Sequence, residues 1–147
     1  MEVAPHFRLE LIPAIEFTAR WDNALGICTQ DVDVLGYYVD LENEALQARE
    51  RDALADLDSR IASCCARLSH AGYAIRFVDL VARNPDYVGL RHLRDKLIAR
   101  GYFETEADAD LVLNNYWAQV RPCAFSLQDQ IETVSYTHLT LPTNREV

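Results

Sequence analysis

Val32-Asp33-Val34-Leu35-Gly36-Tyr37-Tyr38-Val39, followed after Asp40-Leu41-Glu42-Asn43 by the stretch from Glu44 to His70, decides how this chain reads. The first segment is dense in β-branched and aromatic residues, which suit a pleated strand. In the second the apolar period changes. Leu54, Leu57, Ile61, Cys64 and Leu68 advance by alternating threes and fours, one face of a helix. Glu50, Arg51, Asp56 and Asp58 fill the other faces, Asp40 or Asn43 offers an N-cap, and Gly72 stands where a left-handed C-cap belongs. Upstream, residues 9–15 read as a short apolar strand bounded by Pro13, Phe17 to Trp21 follows in alternating style, and Asp22 to Asp31 reads as a turn region around Gly26. Downstream, three shorter helices are predicted: Arg76 to Arg83, Val88 to Arg100 with Gly101 as its stop, and Glu106 to Trp117 capped by Thr105. Two strands and then a block of helices make an α/β start followed by a helical insertion.

Composition narrows the function. The chain has 147 residues and a formal net charge of −9, and half its residues are apolar, so it reads as one globular domain or part of one. The acidity leaves no basic stripe to displace counterions from duplex nucleic acid, so no stable duplex partner is expected. An enzyme that carries its own cations remains open, because they invert the local field. No apolar run is long enough for a membrane helix and no secretory leader opens the chain. Cys28, Cys64, Cys65 and Cys123 show no Cys-x-x-Cys spacing. They read as buried reduced thiols in a cytoplasmic setting.

Four residues carry candidate chemistry. Glu16 comes directly after the apolar run ending at Ile15, and carboxylates at strand ends are where βα folds place reactive groups. Asp33 interrupts an apolar strand. It reads either as a solvent-facing alternation residue or, with Glu16, as one edge of a divalent-metal site, since hard cations prefer oxygen. Arg91 and His92 open a helix and together could grip a phosphate. Taken alone, a helix histidine beside arginine is more often a surface or capping residue. No catalytic nucleophile is assigned. With five glycines, phosphate-cradling Gly-rich loops of the nucleotide-binding types are absent.

The order of these segments resembles the PHP (polymerase and histidinol phosphatase) family of metal-dependent phosphoesterases. Leu11-Ile12-Pro13-Ala14-Ile15-Glu16 resembles the family's Leu-Ile-Pro-Gly-Ile-Glu motif, and Val32 to Asp40 resembles its Val-His-Ile-Leu-Gly-Tyr-Phe-Ile-Asp strand. Asn43 and Leu46, then Arg67-Leu68 with Gly72, then Arg91-His92-Leu93 through Gly101-Tyr102, continue the likeness from residue 9 to about 122. Ala14 replaces a glycine, Asp33 stands where the family carries a histidine, and Leu90-Arg91 replaces Arg-Pro. The resemblance implies a fragment of a distorted βα barrel, two or three strands, followed by a mostly helical inserted subdomain. It implies a parent enzyme with two or three divalent metals (Mn, Fe or Zn), hydrolysing phosphorylated small molecules or short RNA. The favoured substrates are nucleoside 3′,5′-bisphosphates and short RNA 5′ ends. It makes Glu16 and Asp33 metal ligands, and Arg91 and His92 substrate-binding residues. Another PHP phosphatase or exonuclease substrate, and a non-enzymatic helical interaction module, are the alternatives.

The end of the chain reads differently. Val134 to Thr143, Val-Ser-Tyr-Thr-His-Leu-Thr-Leu-Pro-Thr, resembles a translated transposase sequencing adapter. The expected organisation is a barrel segment over 1–42, a helical subdomain over 43–133 and an adapter-derived tail over 134–147. The family's remaining histidine and aspartate motifs would then lie before Met1 and after Thr133, and the chain by itself is expected to be inactive.

Overall fold

The computed structural model describes residues 11–22 and 28–136. Among these residues the chain forms two strands and five α-helices: β1 (Ala14–Asp22), β2 (Cys28–Tyr37), α1 (Glu44–His70), α2 (Phe77–Val81), α3 (Leu90–Ala99), α4 (Glu106–Trp117) and α5 (Leu127–Tyr136). They divide into two compact units. One comprises residues 1–51 with 124–147, and the other is the continuous segment Asp52–Cys123. The sequence reading places its divisions after residues 42 and 133. Most of the expected tail, residues 137–147 with His138 and Leu139, lies outside the described residues, as do the turn around Gly26 and His6.

In the first unit β1 and β2 form an antiparallel ribbon, with Glu16 opposite Leu35, Phe17 opposite Val34 and Thr18 opposite Asp33. Among the described residues the ladder begins at Ala14, and Leu11 to Pro13, expected within a strand running from residue 9, lie outside it; residues 9 and 10 lie outside the described residues. Pro13 has no N–H to donate, so pairing starts just beyond it, and Leu11 and Ile12 are exposed instead of forming a buried strand end. Alternation sends Phe17 and Ala19 to the buried side and Glu16 and Thr18 to water. The buried side is covered by α5, a helix the sequence reading did not anticipate. Ser126 starts α5. Its hydroxyl accepts from the Asp129 N–H at 3.2 Å, while the Asp129 carboxylate accepts from the Ser126 N–H at 2.8 Å and from its hydroxyl at 2.7 Å. These bonds hold the Asp129 carboxyl below the usual carboxylate range. One strand edge is engaged too, since the Arg20 N–H donates to the Phe125 carbonyl at 2.7 Å.

Fully buried Gln130 donates from Nε2 to the Thr18 carbonyl at 3.1 Å. Val134, which the sequence reading gave to the adapter-derived tail, is only 6% exposed and lies over Gly36. After β2, Tyr38 takes a left-handed conformation (φ 57°) and Val39 is buried. Asn43 is the N-cap of α1: its Oδ1 accepts from the N–H groups of Ala45 at 2.9 Å and Leu46 at 3.2 Å.

The second unit is helical around one apolar cluster. Ile61, Cys64, Cys65 and Leu68 from α1 meet Ile75, Leu80, Val88, Leu93, Leu97, Leu113 and Val120. Adjacent Cys64 and Cys65 are both buried, because helices cover more than one side of α1 here. Desolvation pushes their thiols up to about 11 and about 12, so at neutral pH they are protonated packing groups, not nucleophiles. Gly72, with φ +97°, ends α1 as expected. α2 is shorter than predicted, closing at Val81. The Arg83 and Asn84 N–H groups bond back to the Leu80 carbonyl in turns. Thr105 caps α4 by accepting from the Asp108 N–H. The Asp108 carboxylate accepts from the Thr105 hydroxyl at 2.6 Å. Arg94 on α3 reaches Glu106 at 3.2 Å and Asp110 at 3.4 Å on α4, clamping the two helices together.

No helix among the described residues is long and apolar enough to cross a membrane.

Candidate functional site

The antiparallel register decides what the two carboxylates can do together. Glu16 faces Leu35 across the ribbon, Asp33 faces Thr18, and residues two apart along a strand share a face. Glu16, Thr18, Asp33 and Leu35 therefore stand on one side, the side turned away from α5. Glu16 and Asp33 are diagonal neighbours, a relation in which backbones lie about 7–8 Å apart and long side chains converge. Both are exposed. Asp33 is steadied by the Thr18 hydroxyl, which donates to its Oδ1 at 3.1 Å.

Two details differ from the sequence reading. Glu16 is the third residue of β1, not a residue beyond a strand's end, because the strand begins after Pro13. Thr18 and Leu35 had not been singled out. Thr18 was findable in principle from its spacing of two from Glu16, but pairing it with Asp33 required the register, which one sequence does not reveal.

Arg91 and His92 belong to the helical unit, at the start of α3. Neighbouring residues on a helix do not face each other, and these two have different partners. The Arg91 side chain is 81% exposed and makes only a loose ion pair, 3.8 Å, with Asp95 one turn on. His92 turns back on the helix start, where its Nδ1 accepts from the Gly89 N–H at 3.0 Å. Its ring meets Tyr87 edge to face at 5.8 Å. The structure thus realises the capping reading of His92. The acceptor role occupies Nδ1 and leaves Nε2 as the nitrogen that carries the proton of a neutral ring. Gly89 and Tyr87, the supports of that geometry, left no recognisable signal in the sequence.

Other charged groups are structural. Arg76 and Arg100 share Asp79, at 2.7 Å and 3.3 Å, and the Arg76 hydrogen bond holds the Asp79 carboxyl low. Arg100 also donates to the Ala74 carbonyl. Half-exposed Arg121 pairs with buried Asp56 at 2.6 Å. Among the described residues no three His, Cys, Asp or Glu side chains cluster as ligands of one metal ion would.

No family model matches the sequence, and no curated protein matches it. One crystal structure shares its fold. It is a protein from Bifidobacterium adolescentis ATCC 15703, solved at 2.40 Å and provisionally described as a metal-dependent phosphoesterase. The TM-score is 0.70 at 23% sequence identity, over 92% of this chain and 47% of that one. The chain therefore spans about half the length of its structural neighbour.

Proposed function

We propose that this chain is part of a PHP-family metal-dependent phosphoesterase, with Glu16 and Asp33 as metal ligands on the open face of the ribbon. The observation that carries the reading is the diagonal pairing of two exposed carboxylates on that face, in a fold shared with a protein described as a metal-dependent phosphoesterase. Their chemistry fits a hard divalent cation: both are oxygen donors, and Asp33 is already oriented by Thr18. Their number does not complete a site, so we infer that further ligands come from the part of that fold this chain does not span. There the ribbon would belong to a distorted βα barrel. Two or three divalent cations (Mn, Fe or Zn) held there would supply Lewis-acid polarisation of phosphoryl oxygens and a lowered pKa of bound water.

This chain's own residues hold and orient. Glu16 and Asp33 bind the cations, and Thr18 fixes the Asp33 rotamer. Arg91, exposed and loosely paired, is available to a phosphate group, and His92 can donate from Nε2 while Nδ1 stays on Gly89. The proposed substrates are nucleoside 3′,5′-bisphosphates or short RNA 5′ ends, in a cytoplasmic setting consistent with the protonated buried thiols.

The test is hydrolysis of a nucleoside 3′,5′-bisphosphate with added Mn²⁺ by the longer protein that contains this chain. Glu16→Ala and Asp33→Ala should each remove turnover and weaken Mn²⁺ uptake. Arg91→Ala should lower kcat/KM by roughly ten- to a hundred-fold, the loss of about 1.5–3 kcal/mol from a charge-assisted hydrogen bond. Full turnover and unchanged Mn²⁺ uptake in both carboxylate variants would refute the assignment.

A further inference from the structure

We propose that a groove on the helical unit, lined by Tyr73, Leu111, Val112, Asn115 and Tyr116, binds a planar, uncharged heteroaromatic ring of the nucleobase kind. The groove has a volume of about 460 Å³, within the ~300–1,000 Å³ range of small-ligand pockets. Its walls are two phenol rings and two aliphatic side chains, with one carboxamide among them. That composition suits a flat ring with a hydrogen-bonding edge better than a sugar or a phosphate.

The aromatic wall is held before any ligand arrives. Tyr73 packs edge-on to Tyr102 at 5.3 Å, stacks with Phe103 at 5.7 Å and meets Tyr116 edge-on at 6.4 Å. The Tyr102 hydroxyl accepts from the Ala74 N–H at 2.8 Å, which ties the cluster to the backbone. Rings restrained in this way lose little freedom when another ring packs on them. Meanwhile Leu111 is 74% exposed, a large aliphatic side chain left in water beside the aromatic wall.

The polar groups point to the ligand's chemistry. Among the described residues, the Asn115 carboxamide and the Tyr73 and Tyr116 hydroxyls form no hydrogen bond to protein, so donors and acceptors are available at the groove. A carboxamide offers a donor and an acceptor side by side, the pattern that matches an adenine edge. Among the described residues no cationic side chain lines the groove. An anion would find no charge partner there, which leaves a neutral ring as the occupant. This inference does not depend on the phosphoesterase reading, because binding here needs neither metal nor turnover.

The experiment titrates the full chain with adenosine and, separately, with ribose 5-phosphate, following intrinsic fluorescence and saturation-transfer NMR of the ligand. Saturable adenosine binding is expected, with no saturable binding of ribose 5-phosphate. Asn115→Ala and Leu111→Glu alter exposed side chains, so each should leave the melting curve unchanged while weakening adenosine binding by about tenfold or more. Absence of saturation at millimolar adenosine would overturn the proposal, as would equal binding of ribose 5-phosphate or unchanged affinity in both variants. Concentration-dependent self-association that Leu111→Glu abolishes would also overturn it, by making the groove an interface between copies.

Discussion

At the scale of single residues, Gly36 shows how tightly β2 and α5 approach. A Cβ built at Gly36 would lie 2.6 Å and 3.1 Å from the two methyl groups of Val134 and 3.3 Å from Val39. Both valines are buried and β-branched, so neither can swing aside cheaply. Gly36→Ala should therefore destabilise the ribbon unit by about 1–3 kcal/mol, the usual cost of overpacking. Gly89 makes the contrast. A Cβ there meets the Tyr87 hydroxyl at 2.5 Å and its ring at 2.9 Å, but Tyr87 is exposed and can swing aside at the expense of its edge contact with His92, so Gly89→Ala should cost less than Gly36→Ala. The clash at Gly36 is specific to Val134, and a double-mutant cycle checks this. Urea melts of Gly36→Ala, Val134→Ala and the pair should show the double variant well above the sum of the singles. Additive losses would mean that the close approach is not what restricts position 36.

At the scale of elements, the buried thiols of α1 make the helical core sensitive to alkali. Their folded pKa values, about 11 and about 12, lie above the ordinary 9.0. Between those values the folded state retains protons that the unfolded chain has released, so stability falls as pH rises. The contribution is intact below about pH 9 and declines from there toward about pH 12. Chemical denaturation across that window should show the decline, and Cys65→Ala should flatten it. A small alkylating reagent at neutral pH should modify Cys64 and Cys65 only in denaturant. An alkali response identical in Cys65→Ala and the parent would contradict the assignment.

The same helix shows what a sequence reveals. Ile61, Cys64 and Leu68 were legible as core because their spacing follows the helical period, and Thr105 and Gly72 marked ends by known local chemistry. α5 was not legible. Its inner face is Gln130 and Val134, a buried amide where the period calls for an aliphatic residue, while Ile131 faces out. The site was half legible for a similar reason. Glu16 and Asp33 stood out by residue type, but their common face depends on a register that is a property of pairing. For His92 the phosphate and capping readings both stood, because nothing in the sequence marks the Gly89 N–H as its partner.

At the scale of the whole molecule, the helical unit is one continuous segment with its own core, while the ribbon unit is assembled from two distant stretches. A polypeptide of residues 52–123 should consequently fold alone, with a helical circular dichroism spectrum and a cooperative thermal transition. Leu93→Ala, which empties a fully buried site, should cost it about 2–5 kcal/mol. A non-cooperative melt of the wild-type segment would show that its core needs the ribbon unit.

That discontinuity also sets a timetable during synthesis. β1 and β2 leave the ribosome long before α5, the helix that covers their apolar side. At about 5–20 residues per second, the ~90 residues between Tyr37 and Leu127 take roughly 5–20 s to make. A hairpin forms in microseconds, but an isolated one is at best marginally stable in water. For those seconds the nascent ribbon has no lid over Phe17 and Ala19, which makes it the stretch a ribosome-bound chaperone would engage first.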